Sequence, residues 1–309
     1  MIEYMAVKNG KLLVLPSQEQ AEIIRMVAPQ DDEIRQVAAL TRAPHDYLTA
    51  ACDRDERPRV ETEDEAHLIV LRVPHEPSVA DLPVSTVAFG IVLTPSHIIS
   101  VCSASTTAWE VMARTRPLVP PVDKRLPFLC AWFMGIARLY LTHLHRIRAA
   151  ADAVEREIHV SMRNVMLIRM LDLEKCLVDF TTSLRGHDTL WSRLKRIQGR
   201  PLTEDEQDLI EDVRIEFKQA HDLTEIHSNI LSGMMDAFAS VISNNLNVVM
   251  KLLTSLTIIL MLPTLVASVY GMNVKLPFQD SPHAFLITMG MSLVLSVAGV
   301  AIFLRKKLL

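Results

Sequence analysis

Two uncharged apolar runs near the C-terminus set the tightest limit on how this chain can fold. Leu252 to Tyr270 is 19 residues without a charged side chain, and Ala284 to Leu304 is 21. At ~1.5 Å of rise per residue, either run as a helix would cross the ~30 Å hydrocarbon core of a bilayer. Charges recur throughout everything before Lys251, so that part reads as water-soluble. The expected architecture is a large N-terminal soluble region followed by a two-helix membrane hairpin, with the high apolar content of 50% concentrated in the two runs.

Flanking charge sets the expected orientation. Lys251 precedes the first run, and Arg305, Lys306 and Lys307 follow the second, whereas Val274 to His283 between them holds one Lys and one Asp. By the positive-inside rule both ends lie in the cytoplasm and the short loop lies outside. Met1-Ile2-Glu3-Tyr4 has no basic start leading into an apolar stretch, so no signal peptide is expected. Cys52, Cys102, Cys130 and Cys176 show no CxxC spacing and read as buried free thiols. A net charge of −4 argues against a nucleic-acid partner.

The first 120 or so residues mix strand and helix signals. His67 to Val73, Val84 to Leu93 and His97 to Cys102 are β-branched runs punctuated by Pro74, Pro77, Pro83 and Pro95. Ala21 to Ala28 and Asp31 to Leu40 read as short helices, giving a layered α/β domain whose strand order the sequence leaves open. The prolines at 117, 120, 121 and 127 mark a boundary. After it, Phe128 to Ser161 and Arg163 to Ile197 show helical apolar spacing. Gly199 and Pro201 break the chain, and Thr203 with Glu206 forms a capping box. One helix from Thr203 to Tyr270 would reach roughly 100 Å and would need partner helices along it, which the two preceding helices can supply. The domains expected are 1–125 (α/β), 126–251 (long-helix stalk) and 252–309 (membrane hairpin). The hairpin comprises a first span 252–270, the tripeptide 271–273, a loop 274–283, a second span 284–304 and a basic tail 305–309.

Alternating steps of four and three residues from Asp236 reach Ser240, Ser243, Asn247, Met250, Thr254, Thr257, Met261, Thr264 and Ser268. Every position is polar or Met. A 3.5-residue period belongs to helices supercoiled about an axis. Within the first apolar run Ser255 is the one hydroxyl off this stripe. Two readings stay open. Hydroxyls on membrane helices often hydrogen-bond across to a neighbouring helix. Alternatively, several copies arrange the stripe around a pore, each position becoming a ring. Asp236 would then favour cations at the cytoplasmic end, and Thr254, Thr257, Thr264 and Ser268 would offer neutral oxygens to water. Met250 and Met261, with Leu253 one position off the stripe, would form constrictions that close by dewetting. Such a lining suits a hydrated ion such as Mg2+, which gives up water reluctantly. At the outer end, Gly271 permits unusual backbone geometry and Asn273 adds an amide oxygen; a helix C-cap is the simpler reading of that pair.

Tyr270-Gly271-Met272-Asn273 after the first of two C-terminal spans, a short outer loop and a basic tail resemble the CorA family of divalent-cation transporters. Asn247, Met250, Lys251, Leu253, Thr254, Met261 and Thr264 fit that family's first membrane helix. The resemblance implies a fold of the α+β and membrane α-helical class: an N-terminal αβα cytoplasmic domain, a long helical funnel and two transmembrane helices in a homopentameric pore set in membrane lipid. It implies channel-like uptake of hydrated Mg2+ across the cytoplasmic (inner) membrane, with Co2+ or Ni2+ as further cargo and no organic cofactor. Gly271, Met272 and Asn273 become the selectivity filter. Asp212, by its distance before the stripe, matches a regulatory-metal position through which internal divalent cation closes the pore. Many relatives carry an acid soon after this tripeptide, whereas here Lys275 comes first and Asp280 is the nearest acid.

A zinc-transporting branch is the alternative within the superfamily, though it replaces the motif's Met, so Met272 leans towards magnesium. A non-conducting, membrane-anchored sensor is the alternative outside it. No GxxxxGK[ST], HExxH or GxSxG motif occurs, so no enzyme or energy-coupling chemistry is expected.

Overall fold

The structure is a computed structural model that describes residues 1–77, 84–111, 119–160, 164–197, 200–278 and 281–306. The chain divides into two compact units, Met1–Met234 and Met235–Leu309.

The first unit holds a seven-stranded mixed sheet. Its strands are β1 (Ile2–Lys8), β2 (Lys11–Leu15), β3 (Ile23–Val27), β4 (Arg59–Glu63), β5 (Ala66–His75), β6 (Ser85–Leu93) and β7 (Ile98–Cys102), in the order β2-β1-β3-β7-β6-β5-β4. β3 and β7 pair in parallel and the other neighbours are antiparallel. β5, β6 and β7 are buried almost throughout, which explains why they read as near-continuous apolar runs in the sequence.

The layers follow from strand alternation. Ile24, Met26, Leu68, Val70, Ala88, Val92, Ile99 and Val101 form one core cluster with Ile34 and Val37 of α1 (Asp31–Thr41) and Leu48 of α2 (His45–Ala50). On the other face, Phe89 meets Trp132 of α3 (Arg125–Val160) edge-on at 5.3 Å, and the Trp132 indole N–H donates to the Ala108 carbonyl at 2.6 Å. With α4 (Asn164–Leu194) beside α3, the sheet lies between helical layers, as the αβα expectation had it.

A buried polar knot joins α3 and α4 to the sheet. The Tyr140 hydroxyl donates to the Arg72 carbonyl at 2.8 Å, and the Arg72 N–H donates to His187 Nε2 at 3.0 Å. The Thr86 N–H donates to Asp179 at 2.6 Å. Burial is the main cause that depresses the His187 pKa to about 3, with the nearby Arg72 charge adding to it. An ordinary His titrates near 6.5 when unfolded, so between roughly pH 3 and 6.5 the unfolded chain binds more protons. Stability should therefore rise with pH through that window and be complete above it. Melting temperature against pH in detergent checks this, and His187→Gln should flatten the slope.

Two features depart from the sequence expectations. Where a helix was expected over residues 21–28, residues Ile23–Val27 form strand β3. Apolar residues at 21, 23, 24, 26 and 27 suit either period over so short a stretch, and pairing with both β1 and β7 decides for the strand. β1, β2 and β4 were not anticipated. β1 and β2 turn on Asn9 and Gly10, both left-handed (φ 53° and 71°), and an Asn-Gly pair is the strongest short hairpin signal in a sequence.

Helix α5 runs from Glu204 to Tyr270, and α6 from Ala284 to Arg305. The capping box is formed: the Glu206 N–H donates to Thr203 Oγ1 and the Thr203 N–H to Glu206 Oε2. Arg200 and that cap hold the Glu206 carboxyl down to about 2. Within the first unit α5 buries Ile210, Val213, Phe217, Ala220 and Leu231, with Phe217 packed 5.0 Å from both Trp191 and His187. The partners this long helix requires are therefore present there. All four cysteines are free thiols.

Candidate functional site

Every stripe position from Asp236 to Ser268 lies in the second unit, on the C-terminal part of α5. Hydroxyls there turn back on the helix. Ser240 donates to the Asp236 carbonyl at 3.0 Å, Thr257 to Leu253 at 2.8 Å and Thr264 to Leu260 at 3.3 Å. These bonds satisfy the hydroxyl protons within α5 and leave the oxygen lone pairs available. Pro263 lies inside the helix and does not end it. Removal of one N–H is tolerated in membrane helices where neighbouring groups take up the freed carbonyl.

The hairpin separates the stripe from the seam between its two helices. On α5 the side chains covered are Ser255 (3% exposed), Val266 (8%) and, in part, Ile259 and Leu262. Their counterpart on α6 is Gly299, where an added Cβ would lie 3.1 Å from Leu262 Cδ1 and 3.9 Å from Ile259 Cγ1. At 100° per residue, this seam and the positions Thr254, Thr257, Met261, Thr264 and Ser268 point about 150° apart around α5. Asp236, Asn247, Met250, Leu253 and all five of those positions are exposed, Met261 at 64% and Met250 at 51%. The hydroxyl facing α6 is Ser255, the one off the stripe. Hydrogen bonding of the stripe across the hairpin is thereby excluded as its purpose.

Gly299 is the seam residue that the sequence reading passed over; a lone glycine between Ala298 and Val300 in an apolar run was its signal. Gly299→Leu should strain the hairpin by about 1–3 kcal/mol, the usual cost of overpacking. Gly290→Leu, where a Cβ meets nothing within 4 Å, is the matched control and should lower the melting temperature less.

At the outer end the Gly271 N–H closes the last turn on the Ala267 carbonyl at 2.9 Å, and the Met272 N–H reaches Val269 at 3.2 Å. Gly271 is not left-handed here, so the backbone freedom expected of it is not exercised. Gly271, Met272 and Asn273 are all exposed just beyond the end of α5. The Tyr270 hydroxyl donates to the Pro277 carbonyl at 3.3 Å and draws the loop back over the helix end. That closure was not foreseen. Lys275 stands exposed within it, and Asp280 lies outside the described residues.

Asp212 sits in the first unit, exposed on α5, whereas the stripe residues belong to the second. Among the described residues no group of three or more His, Cys, Asp or Glu is arranged to hold a metal ion. Among the described residues two helices, α5 and α6, are long and apolar enough to cross a membrane, and their apolar windows are 11% and 0% buried. Such surface demands cover by lipid or by further protein.

Comparison with known proteins agrees with this layout. The CorA family pattern, described as CorA-like Mg2+ transporter protein, matches residues 18–306. The cobalt/magnesium transport protein CorA of Methanocaldococcus jannaschii is 24% identical over 283 residues, covering 90% of this chain and 88% of that protein. The protein of the same name from Thermotoga maritima is 30% identical over 170 residues, 54% of this chain and 48% of its own. Among solved structures, the complete CorA magnesium transporter of M. jannaschii superposes with a TM-score of 0.83 at 23% identity, covering 99% of this chain and 98% of that one. The full-length CmaX protein gives 0.73 at 16% identity, covering 99% and 97%.

Proposed function

Given that the chain belongs to the CorA family of Mg2+ transporter proteins, we propose that it is a passive, channel-like uptake route for hydrated Mg2+ across the cytoplasmic membrane, driven by membrane potential. The observation that carries this reading is the placement of the membrane part of the stripe, Thr254 to Ser268, about 150° away from the hairpin seam, on the exposed side of α5. A single hairpin encloses nothing. Five copies, as the family resemblance implies, would turn that face inward. Asp236 would then gather cations at the cytoplasmic end, Asn247, Thr254, Thr257, Thr264 and Ser268 would line a wet path, and Met250, Leu253 and Met261 would narrow it.

Gly271 and Asn273 form the filter in this reading, the amide and backbone carbonyls bonding to the waters that Mg2+ retains. Met272 keeps the magnesium form of the motif. Residues 1–125 serve as a cytoplasmic α/β domain, 126–251 as the stalk and 252–309 as the membrane hairpin, with both chain ends inside. Asp212 is assigned to a regulatory cation site completed by a neighbouring copy. Co2+ and Ni2+ are further cargo of the same size class.

Two positive charges moving inward across 100 mV gain about 4.6 kcal/mol, at ~2.3 per charge, so no coupled energy source is needed. The test is Mg2+ entry into proteoliposomes of purified protein under an imposed inside-negative potential. A sensor that does not conduct would show entry no faster than empty liposomes, and that result would end the channel reading.

A further inference from the structure

The inner end of the hairpin gathers positive charge with nothing to answer it. Lys251, Arg305 and Lys306 are exposed, and among the described residues none of the three pairs with a carboxylate. Asp236 is the nearest acid along α5, 15 residues before Lys251 and so about 22 Å away, and α6 carries no acid at all.

The seam fixes where these side chains fall. Ile259 and Leu262 on α5 meet Gly299 on α6. From that contact Lys251 lies about 14 Å along α5 and Lys306 about 10 Å along α6, so the two come within a turn of the same height. Ser255, covered by α6, stands one turn from Lys251, and half-buried Phe303 stands one turn short of Lys306. At 100° per residue Lys251 points about 50° from the seam and about 100° from the membrane part of the stripe, while Lys306 lies about 20° around α6 from Gly299. The Lys306 N–H still donates to the Ile302 carbonyl, so the last turn keeps that direction. Arg305 falls on the other flank of α6. The positive-inside rule accounts for basic residues at this end, but not for two of them on facing sides of one seam. Like charges so placed repel unless an anion sits between them.

From this placement we infer that the inner end of the seam binds an anionic phospholipid of the cytoplasmic leaflet, its phosphate held between Lys251 and Lys306. Basic recesses between membrane helices on the cytoplasmic side are where acidic headgroups bind. The spans set the height: Lys251 is the last charge before 19 uncharged residues, and Arg305 is the first after 21. Acyl chains then run along exposed Leu252, Leu256 and Leu304. A zwitterionic lipid brings the same phosphate with a cation that this cluster repels. A soluble phosphate brings no chains. The inference rests on the membrane placement of α5 and α6 and not on ion conduction, and the bound lipid ties the two spans together beside the path and outside it.

The test is native mass spectrometry of the full-length protein released from a neutral detergent. The probes are phosphatidylglycerol, phosphatidylcholine and glycerol 3-phosphate, the last carrying a phosphate without chains. Saturable phosphatidylglycerol adducts are expected, about tenfold tighter or more than phosphatidylcholine, with no glycerol 3-phosphate retained at the concentration that saturates the lipid. Lys251→Gln and Lys306→Gln should each weaken phosphatidylglycerol about fivefold, the worth of one cation at a membrane surface. The two together should bring it to the level of phosphatidylcholine. Arg305→Gln removes the same charge from the other flank and should cost less than about twofold. Lys275→Gln, at the outer end, should change nothing. Elution volume and melting temperature of each variant show that the fold persists. Phosphatidylglycerol no tighter than phosphatidylcholine overturns the inference. So does equal loss from Arg305→Gln and Lys306→Gln, the mark of diffuse surface charge, or glycerol 3-phosphate held as tightly as the lipid. Binding is read without Mg2+ entry, so a protein that fails to conduct still decides the matter.

Discussion

Asn273→Ala is expected to reduce Mg2+ entry to the level of empty liposomes while the oligomer keeps its elution volume. The side chain is exposed just beyond the last hydrogen-bonded turn of α5, where the Gly271 N–H caps Ala267. A hydrated divalent ion keeps several waters and is recognised through them, so the amide contributes hydrogen bonds and no direct ligand charge. One such bond is worth about 0.5–1.5 kcal/mol. In a ring of copies the substitution removes them all together, and a loss of a few kcal/mol lowers occupancy by roughly a hundredfold or more. An entrapped Mg2+ indicator under a potassium diffusion potential reads the rate directly. Flux equal to that of the unsubstituted protein would remove Asn273 from the filter.

Lys275→Glu carries the second-largest expected effect, in the opposite direction. Lys275 is exposed two residues beyond Asn273, in a loop drawn over the helix end by the Tyr270–Pro277 hydrogen bond. At ~10 Å in water one lysine repels a divalent ion by about 0.8 kcal/mol before screening, and a Debye length near 10 Å at 0.1 M salt reduces that two- to threefold. Reversing the charge in every copy of a ring therefore amounts to a few kcal/mol at low salt. Initial Mg2+ entry at low external concentration should rise about tenfold or more, with Lys275→Gln intermediate. The gain should shrink as salt is raised. If Lys275→Glu and the unsubstituted protein take up Mg2+ equally fast at low salt, the lysine points away from the ion path.

Legibility differed by element for physical reasons. The helices were readable because their signals are long or chemically specific: 19 and 21 uncharged residues, and a Thr203–Glu206 box that the structure forms bond for bond. β5, β6 and β7 were readable as β-branched runs because both faces are buried and no polar alternation dilutes them. β3 was misread as helix because Ile23-Ile24-Arg25-Met26-Val27 fits either period, and only its neighbours β1 and β7 choose. The Asn9-Gly10 turn was legible and overlooked. At the candidate site, the stripe could be listed from spacing alone, but spacing cannot say which way a helical face points.

The sequence by itself determined that two C-terminal segments are apolar enough to leave water, that a long capped helix leads into the first, and that polar residues recur on it every 3.5 positions. Those properties follow from composition and period, and need no partner to be true. Tertiary structure decided the rest. Ser255, Ile259, Leu262 and Val266 take the seam because Gly299 lets α6 approach there, and that approach leaves the membrane part of the stripe, Thr254 to Ser268, on the far side of α5. Packing is a property of two surfaces at once, so the direction of the stripe became definite only when its helix met another.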